Sequence, residues 1–352
     1  MAVASDTPGG APNPSATQAQ EARRQAGLTP LRRVLIAREL PITVITVLTA
    51  IVFILLSNRF FTSENIETAL LPAFAPFALM AAGEVFVMIN GEIDLSVGGT
   101  YLFAPFVFYK FSQAGIPLIP ALILSLLVMV AIGAINGFLI SVVGLSSFVT
   151  TLGMLFALEG LTLVISHATQ VTPPGTTILG GSSWEQVFGG GTFSEFFWAI
   201  GGVIILQVAL SFTRWGVYTV SVGGNRLGAA EAGINAARNM IRNYAVCALC
   251  AGLVGILEAT RTSTATPDPA GANETLLQAI SAAVIGGTLL TGGSGTVVGA
   301  LIGALFLGIL HDGLILRGVN ANYEFLYLGV AIIIAMTLNT FVARIRTGSG
   351  HG

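Results

Sequence analysis

An all-helical integral membrane protein of about ten spans is the fold class this sequence predicts, and three observations carry the prediction. Hydrophobic residues make up 54% of the 352 and charged residues only 9%, against about a quarter charged in an ordinary soluble domain. Apolar segments of about 20 residues, the length that crosses a bilayer as a helix, recur from 40 to 341 between polar or Gly/Pro-containing breaks. Runs such as 119–143 and 297–309 lack the two-residue alternation of a transmembrane barrel.

Residues 1–39 open with a stretch rich in Ala, Pro, Ser, Thr, Gln and Gly that carries Arg23 and Arg24. It cannot bury enough apolar surface to fold and predicts a disordered cytoplasmic tail. The first apolar run, from Pro41, ends in Ser57-Asn58-Arg59 without a small-residue cleavage pattern. It therefore reads as a retained first span and not as a signal peptide. Spans are predicted at about 40–57, 68–89, 97–112, 119–142, 148–166, 196–211, 243–262, 276–290, 297–315 and 324–341. Together they make a transmembrane domain over 40–341, followed by a short tail at 342–352.

An even number of spans puts both termini on one side. If that side is the cytoplasm, it receives Arg23, Arg24, Arg32, Arg33, Arg38, Arg214, Arg226, Arg238, Arg242, Arg344 and Arg346, and the other side receives Arg59, Lys110, Arg261 and Arg317. Eleven against four satisfies the positive-inside rule, which the opposite orientation inverts. Both termini and the polar, basic loop 213–242 are therefore expected in the cytoplasm. The long loop 167–194, with Pro173-Pro174 and Trp184, faces outward.

Chemistry is constrained by what is scarce. Lys110 is the single lysine, so the chain holds no G-x-x-x-x-G-K-[ST] phosphate loop and does not bind ATP by that route. Cys247 and Cys250 form a C-x-x-C inside an apolar run, where packing is expected and neither disulfide nor metal chemistry. Gly292-Gly293-Ser294-Gly295 with His311 looks like the nucleophile signature of an intramembrane serine protease. The two would lie about 25 Å apart along one helix, far beyond the reach of a nucleophile and its base. Ser294 reads instead as a turn or cap residue. No catalytic residue, metal site or nucleic-acid patch is predicted.

Carboxylates inside apolar runs are costly unless paired, protonated or facing water, and by default they mark a pathway. Glu84, Glu159 and Glu258 lie within spans, and Glu92 and Asp94 lie in the break Gly91-Glu92-Ile93-Asp94-Leu95-Ser96-Val97-Gly98-Gly99. Glu92, Asp94, Ser96 and Gly98, with Glu84 and Glu159, are the candidate path or gate residues. Asp94 or Ser96 is placed to cap the helix that follows. A second Gly-rich break, Gly286-Gly287-Thr288-Leu289-Leu290-Thr291-Gly292-Gly293, closes the eighth span as the first closes the second. Interrupted helices at matching places point to two pseudo-repeated halves around a translocation path. Gly295-x-x-x-Gly299-x-x-x-Gly303 permits close helix approach, as general packing or as a dimer seam.

The loop 213–242 contains Gly223-Gly224-Asn225-Arg226-Leu227-Gly228-Ala229-Ala230-Glu231-Ala232-Gly233-Ile234-Asn235, which predicts a short amphipathic helix bounded by glycines and suited to docking a soluble partner. Gly228 leaves the start of that helix open. This loop, the break at 91–98, and Ala282-Ala283-Val284-Ile285-Gly286-Gly287-Thr288 with Gly292-Gly293-Ser294-Gly295-Thr296-Val297-Val298-Gly299 are three motifs in order. Over 40–341 the chain resembles the permease subunits of bacterial ABC importers for ribose, xylose and related monosaccharides.

The resemblance implies a homodimer embedded in the lipid of the cytoplasmic (inner) membrane. It implies two cytoplasmic partner subunits that bind ATP and Mg, and an extracytoplasmic sugar-binding protein that delivers substrate. It further implies that Gly223, Gly224, Asn225, Arg226, Glu231, Gly233, Asn235 and Arg238 form the ATPase-coupling loop. The chain itself would be no enzyme and would carry no cofactor. The alternative is a proton-coupled secondary transporter with Glu84 or Glu159 as proton carrier, which leaves the cytoplasmic loop without a task.

Overall fold

The computed structural model describes residues 39–175, 186–190 and 193–320, with 323, 326, 327, 329, 330, 332–334 and 337. The predicted tail up to residue 38, Trp184, much of the predicted span at 324–341 and the tail at 342–352 lie outside them. Among the described residues the fold is all-helical. One isolated antiparallel bridge joins Val171 to Ala265.

Helix α1, Leu40–Leu56, has Pro41 in its first turn, where a missing N–H costs no intrahelical bond. Helix α2, Ser63–Ile89, is capped by Thr62, whose hydroxyl accepts the Asn65 N–H at 3.3 Å, and passes through a π-turn at Ile66–Leu70 and past Pro76. Helix α3 is Ser96–Gln113, and α4, Leu118–Val143, stops at Gly144 in the left-handed region. Helices α5, Ser147–Ser166, and α6, Ser194–Phe212, follow. Next come α7, Arg214–Gly224, α8, Arg226–Glu231, and α9, Ala236–Arg261. The described chain closes with α10, Pro269–Ile285, and α11, Val297–Leu316, then helical residues between 323 and 337.

Among the described residues six helices, α2, α4, α5, α6, α9 and α11, are long and apolar enough to cross a membrane. Of the other predicted spans, α1 and α10 have 17 residues each, and α3 carries Ser96, Gly98, Gly99, Thr100 and Lys110.

Two expectations are revised, and the choice left open for Ser294, turn or cap, is decided. The interval 213–242 is largely helical: it holds α7, α8 and the first turns of α9, which begins at Ala236 and not near 243 because Asn235 caps it, its Oδ1 accepting the Arg238 N–H at 2.8 Å. The eighth predicted span moves likewise, since Asp268 caps α10 from the Ala270 N–H (3.1 Å) and Pro269 follows in the first turn. Thr296, not Ser294, caps α11. Ser294 sits in the preceding turn, where its carbonyl accepts the Leu289 N–H at 3.0 Å.

Helix α2 is central, with every residue from Ala78 to Ile89 buried, and it packs against α6, α9, α10 and α11. Small residues set the helix spacing. A Cβ at Gly133 of α4 would lie 2.3 Å from Tyr244 O of α9, and one at Gly303 of α11 would lie 2.1 Å from Ala282 O of α10. Gly299 likewise faces Gly286 O at 2.1 Å, so the Gly299 and Gly303 approach serves packing within the chain. Cys247 and Cys250 are free, buried thiols in α9, as packing residues should be. Outer faces of α5 and α6 expose Val164, Phe197 and Ile205, a surface suited to lipid.

Candidate functional site: a glycine junction and a polar cleft

At one end of α9 the three motifs converge on backbone. The Gly293 N–H donates to the Ile89 carbonyl at 2.7 Å. A Cβ at Gly223 would stand 1.7 Å from that same carbonyl oxygen, and one at Gly292 would stand 2.8 Å from Gly91 N. Gly91, Gly292 and Gly293 all take positive φ (+77°, +84°, +77°), a conformation glycine adopts without strain. Glycine is therefore required here twice over, for the turn and for contact.

Side chains lock the junction. Arg226 Nη2, at the start of α8, lies 2.7 Å from Glu92 Oε1. Beneath them Asn243 Nδ2 donates to Asn90 Oδ1 (2.6 Å) and to the Phe86 carbonyl (3.1 Å), while Asn243 Oδ1 accepts the Trp215 Nε1–H at 2.7 Å. Asn90 Nδ2 donates to the Thr219 carbonyl (3.0 Å), and Asn239 Nδ2 to Thr219 Oγ1 (3.1 Å). Trp215 stacks on Phe86 at 4.5 Å and carries Arg242 over its ring at 4.2 Å. This buried, mutually bonded set fixes α7 to both α2 and α9, and such networks hold one arrangement because each broken bond orphans a partner.

The segment that carries α8 is short and well terminated. Asn225 Oδ1 accepts the Gly228 N–H at 2.9 Å, which settles the start of α8 at Arg226 despite Gly228. Gly233, at φ +82°, makes the turn beyond Glu231. Ala229 is buried, whereas Leu227 is exposed with 79% of its surface free.

Asp94 is fully buried between α2 and α3. Its Oδ1 accepts the Ser96 N–H (2.9 Å) and hydroxyl (2.6 Å), and the Ser96 oxygen accepts Asn136 Nδ2–H at 2.8 Å from α4. Asp94 thus holds the start of α3 from one residue before the N-cap position, which Leu95 occupies. Glu84 is fully buried, lies within electrostatic range of Asp94 and lacks a well-formed hydrogen bond among the described residues. Glu159 stands apart, bonded by Asn273 of α10 at 2.9 Å.

Toward the other end of α9, a cleft of about 380 Å³ opens between α3, α9, α10 and the turn 262–268. Tyr101, Glu258, Thr266, Asp268, Glu274 and Gln278 are among its lining residues. Beside it Arg261 is clasped by Glu258 (Nη2 to Oε1, 2.5 Å) and by Glu195 (Nε to Oε2, 3.2 Å). Arg261 and Glu195 also line a second cleft of about 200 Å³.

The profile of a family described as "Branched-chain amino acid transport system / permease component" matches residues 65–336. The chain belongs to this permease family. The permease is similar to the xylose/arabinose import permease protein XylH of Sulfolobus acidocaldarius, 34% identical over 315 residues that cover 87% of this chain and 86% of the relative. It is similar to the ribose import permease protein RbsC of Escherichia coli, 34% identical with 81% and 88% covered, and to the fructose import permease protein FrcC of Rhizobium meliloti, 29% identical with 86% and 85% covered. No solved structure matches it significantly. The permease is a multi-pass membrane protein and a transport component, and the relatives do not favour the proton-coupled alternative.

The structure brings Glu92 onto Arg226, which sequence reasoning had placed in different groups, and brings the two glycine-rich breaks into contact. It leaves Glu159 on the α10 side of the permease, away from the Asp94 cluster's hydrogen bonds. The reading missed Asn90, Thr219, Asn239 and Asn243. Three asparagines spaced within apolar or helical runs were the available signal, because such residues are rare there unless bonded. It missed the cleft too, whose polar residues come from separate helices and a turn.

Proposed function

We propose that the permease is the transmembrane subunit of an ATP-binding-cassette importer and forms the path for a monosaccharide. The observation that carries this reading is similarity over more than four-fifths of the chain to import permeases named for xylose/arabinose and ribose. Two copies form the path in the lipid of a bacterial cytoplasmic membrane, an extracytoplasmic binding protein delivers the sugar, and separate subunits hold ATP and Mg and hydrolyse the nucleotide. This chain adds no nucleotide site of its own. Ten spans in two pseudo-repeated halves place both termini, 1–39 and 342–352, in the cytoplasm. The domain at 40–341 then turns α7, α8 and the glycine junction inward and the cleft beside Arg261 outward.

In this reading α8 is the coupling helix. Gly223, Gly224, Asn225, Arg226, Glu231, Gly233, Asn235 and Arg238 shape and present it, and its exposed Leu227 and Glu231 meet the ATPase. A short helix moves as a unit, and the Glu92–Arg226 pair passes that motion to the path residues Glu92, Asp94, Ser96 and Gly98, with Glu84 and Glu159 in support. The test is sugar uptake by vesicles that hold this chain alone under a proton gradient, beside vesicles that also hold its ATPase, binding protein and ATP. Uptake in the complete set alone is expected; gradient-driven uptake by the lone chain would refute the reading.

A further inference from the structure

The cleft of about 380 Å³ falls within the size range of small-molecule sites. Its lining is unlike an anion site. Phe77 and Tyr101 are its aromatic residues and Glu258, Asp268 and Glu274 its carboxylates; Thr275 donates to the Gly271 carbonyl (2.9 Å) and Gln278 Nε2 to Glu274 Oε1 (3.0 Å), which fixes the polar side chains of α10 along its wall. Among the described lining residues there is no Lys, Arg or His. Arg261 turns to the neighbouring cleft and is held by two carboxylates, Glu195 at 3.2 Å and Glu258 at 2.5 Å, so that group of three brings no net positive charge.

We infer that this cleft is a solute subsite that takes an uncharged polyhydroxylated molecule and turns away anionic ones, with Asp268 and Glu274 as the selecting residues. The inference rests on the transport reading above and adds a charge limit to its substrate. Ionised carboxylates accept hydrogen bonds from hydroxyls and have none to give a carboxylate or phosphate. Aromatic residues beside carboxylates suit a molecule with both C–H and hydroxyl surface. Ala272 links the cleft to the 91–98 motif. Ala272 belongs to its lining, and a Cβ at Gly98 would lie only 2.9 Å from Ala272 O, so an occupant rests against the helix pair that carries the motif.

Thiol accessibility tests this in the full-length protein reconstituted with its ATPase and binding protein. Thr266, exposed in the cleft, is replaced by Cys, while the native Cys247 and Cys250 are buried. A cationic methanethiosulfonate reagent is expected to label Thr266→Cys about tenfold faster than an anionic one, because a cleft of one charge sign concentrates the opposite. Adding Asp268→Asn and Glu274→Gln, which keep the α10 cap and the side-chain shape, should collapse the ratio. A neutral monosaccharide that the complete assembly takes up should slow labelling, and its uronic acid should not. Equal rates, or a ratio the double substitution leaves unchanged, overturn the charge selection. A ratio without protection by the transported sugar overturns the subsite. Absence of sugar uptake by the complete assembly instead overturns the transport reading, and the labelling ratio still decides the charge selection.

Discussion

Arg226 and Glu92 are 134 residues apart in sequence and 2.7 Å apart in space, and their pair is a side-chain bridge between α8 and the break that precedes α3. Arg226 keeps 49% of its side chain exposed, so the pair adds about 1 kcal/mol or less to stability. Arg226→Gln is therefore expected to leave the thermal midpoint almost unchanged and to lower the sugar moved per ATP hydrolysed. The double reversal Arg226→Glu with Glu92→Arg should recover much of the loss. Uptake and hydrolysis measured in the same vesicles decide it, and an unchanged ratio in Arg226→Gln would sink the bridge as a transmitter.

Gly223 and Gly224 are neighbours with opposite expectations. A Cβ on Gly223 meets the Ile89 carbonyl at 1.7 Å, whereas one on Gly224 meets nothing within 4 Å. Gly223→Ala should cost about 1–3 kcal/mol or more by overpacking against backbone, and Gly224→Ala should be nearly silent. Melting of both variants in detergent checks the contrast, and equal loss in the two would contradict the junction.

Asn243 bonds groups on five residues, Trp215, Phe86, Asn90, Thr219 and Asn239, and Asn243→Leu leaves the Trp215 indole N–H and the Asn90 amide oxygen without this partner. Each orphaned buried group costs about 1–3 kcal/mol. The expected outcome is a drop in thermal midpoint larger than that of the cap variant Asn225→Ala, which costs about 1 kcal/mol.

Arg261 neutralises Glu195, whose side chain is only 8% exposed. Arg261→Gln takes the cation away from that buried carboxylate and from Glu258; because Arg261 keeps 35% of its side chain exposed, the loss falls below the roughly 3–5 kcal/mol of a fully buried pair. Adding Glu195→Gln should restore most of the loss. A double variant no more stable than Arg261→Gln alone would show that the cost lies elsewhere.

Helix content and the polar breaks were legible because they depend on local composition: apolar runs demand intrahelical bonding in lipid, and Gly-rich breaks interrupt it. The cap residues show how far local reading reaches. Asn235 and Asp268 each move a helix start several residues upstream of the apolar run, since a polar first turn extends beyond the lipid-facing segment. Partnership was not legible. Nothing in the periodicity of α2 or α9 says that Asn90 faces Asn243, nor that Gly223 abuts Ile89, because those contacts are set by crossing angles between helices distant in sequence. Gly228 looked like a weakness in α8, but the Asn225 amide supplies the bond that its backbone needs.

Helix α9 runs unbroken for 26 residues, about 39 Å, from the asparagine network to Arg261. Along its first half it is knit to α4, since Gly133 and Gly137 admit Tyr244 and Ile241. Near its far end Gly255 lies so close to α3 that a Cβ would stand 2.1 Å from Tyr101 O. The helix is therefore held on both halves, by α4 and by α3, and it ties the asparagine network and the cleft beside Arg261 into one stiff unit in which neither end shifts without the other.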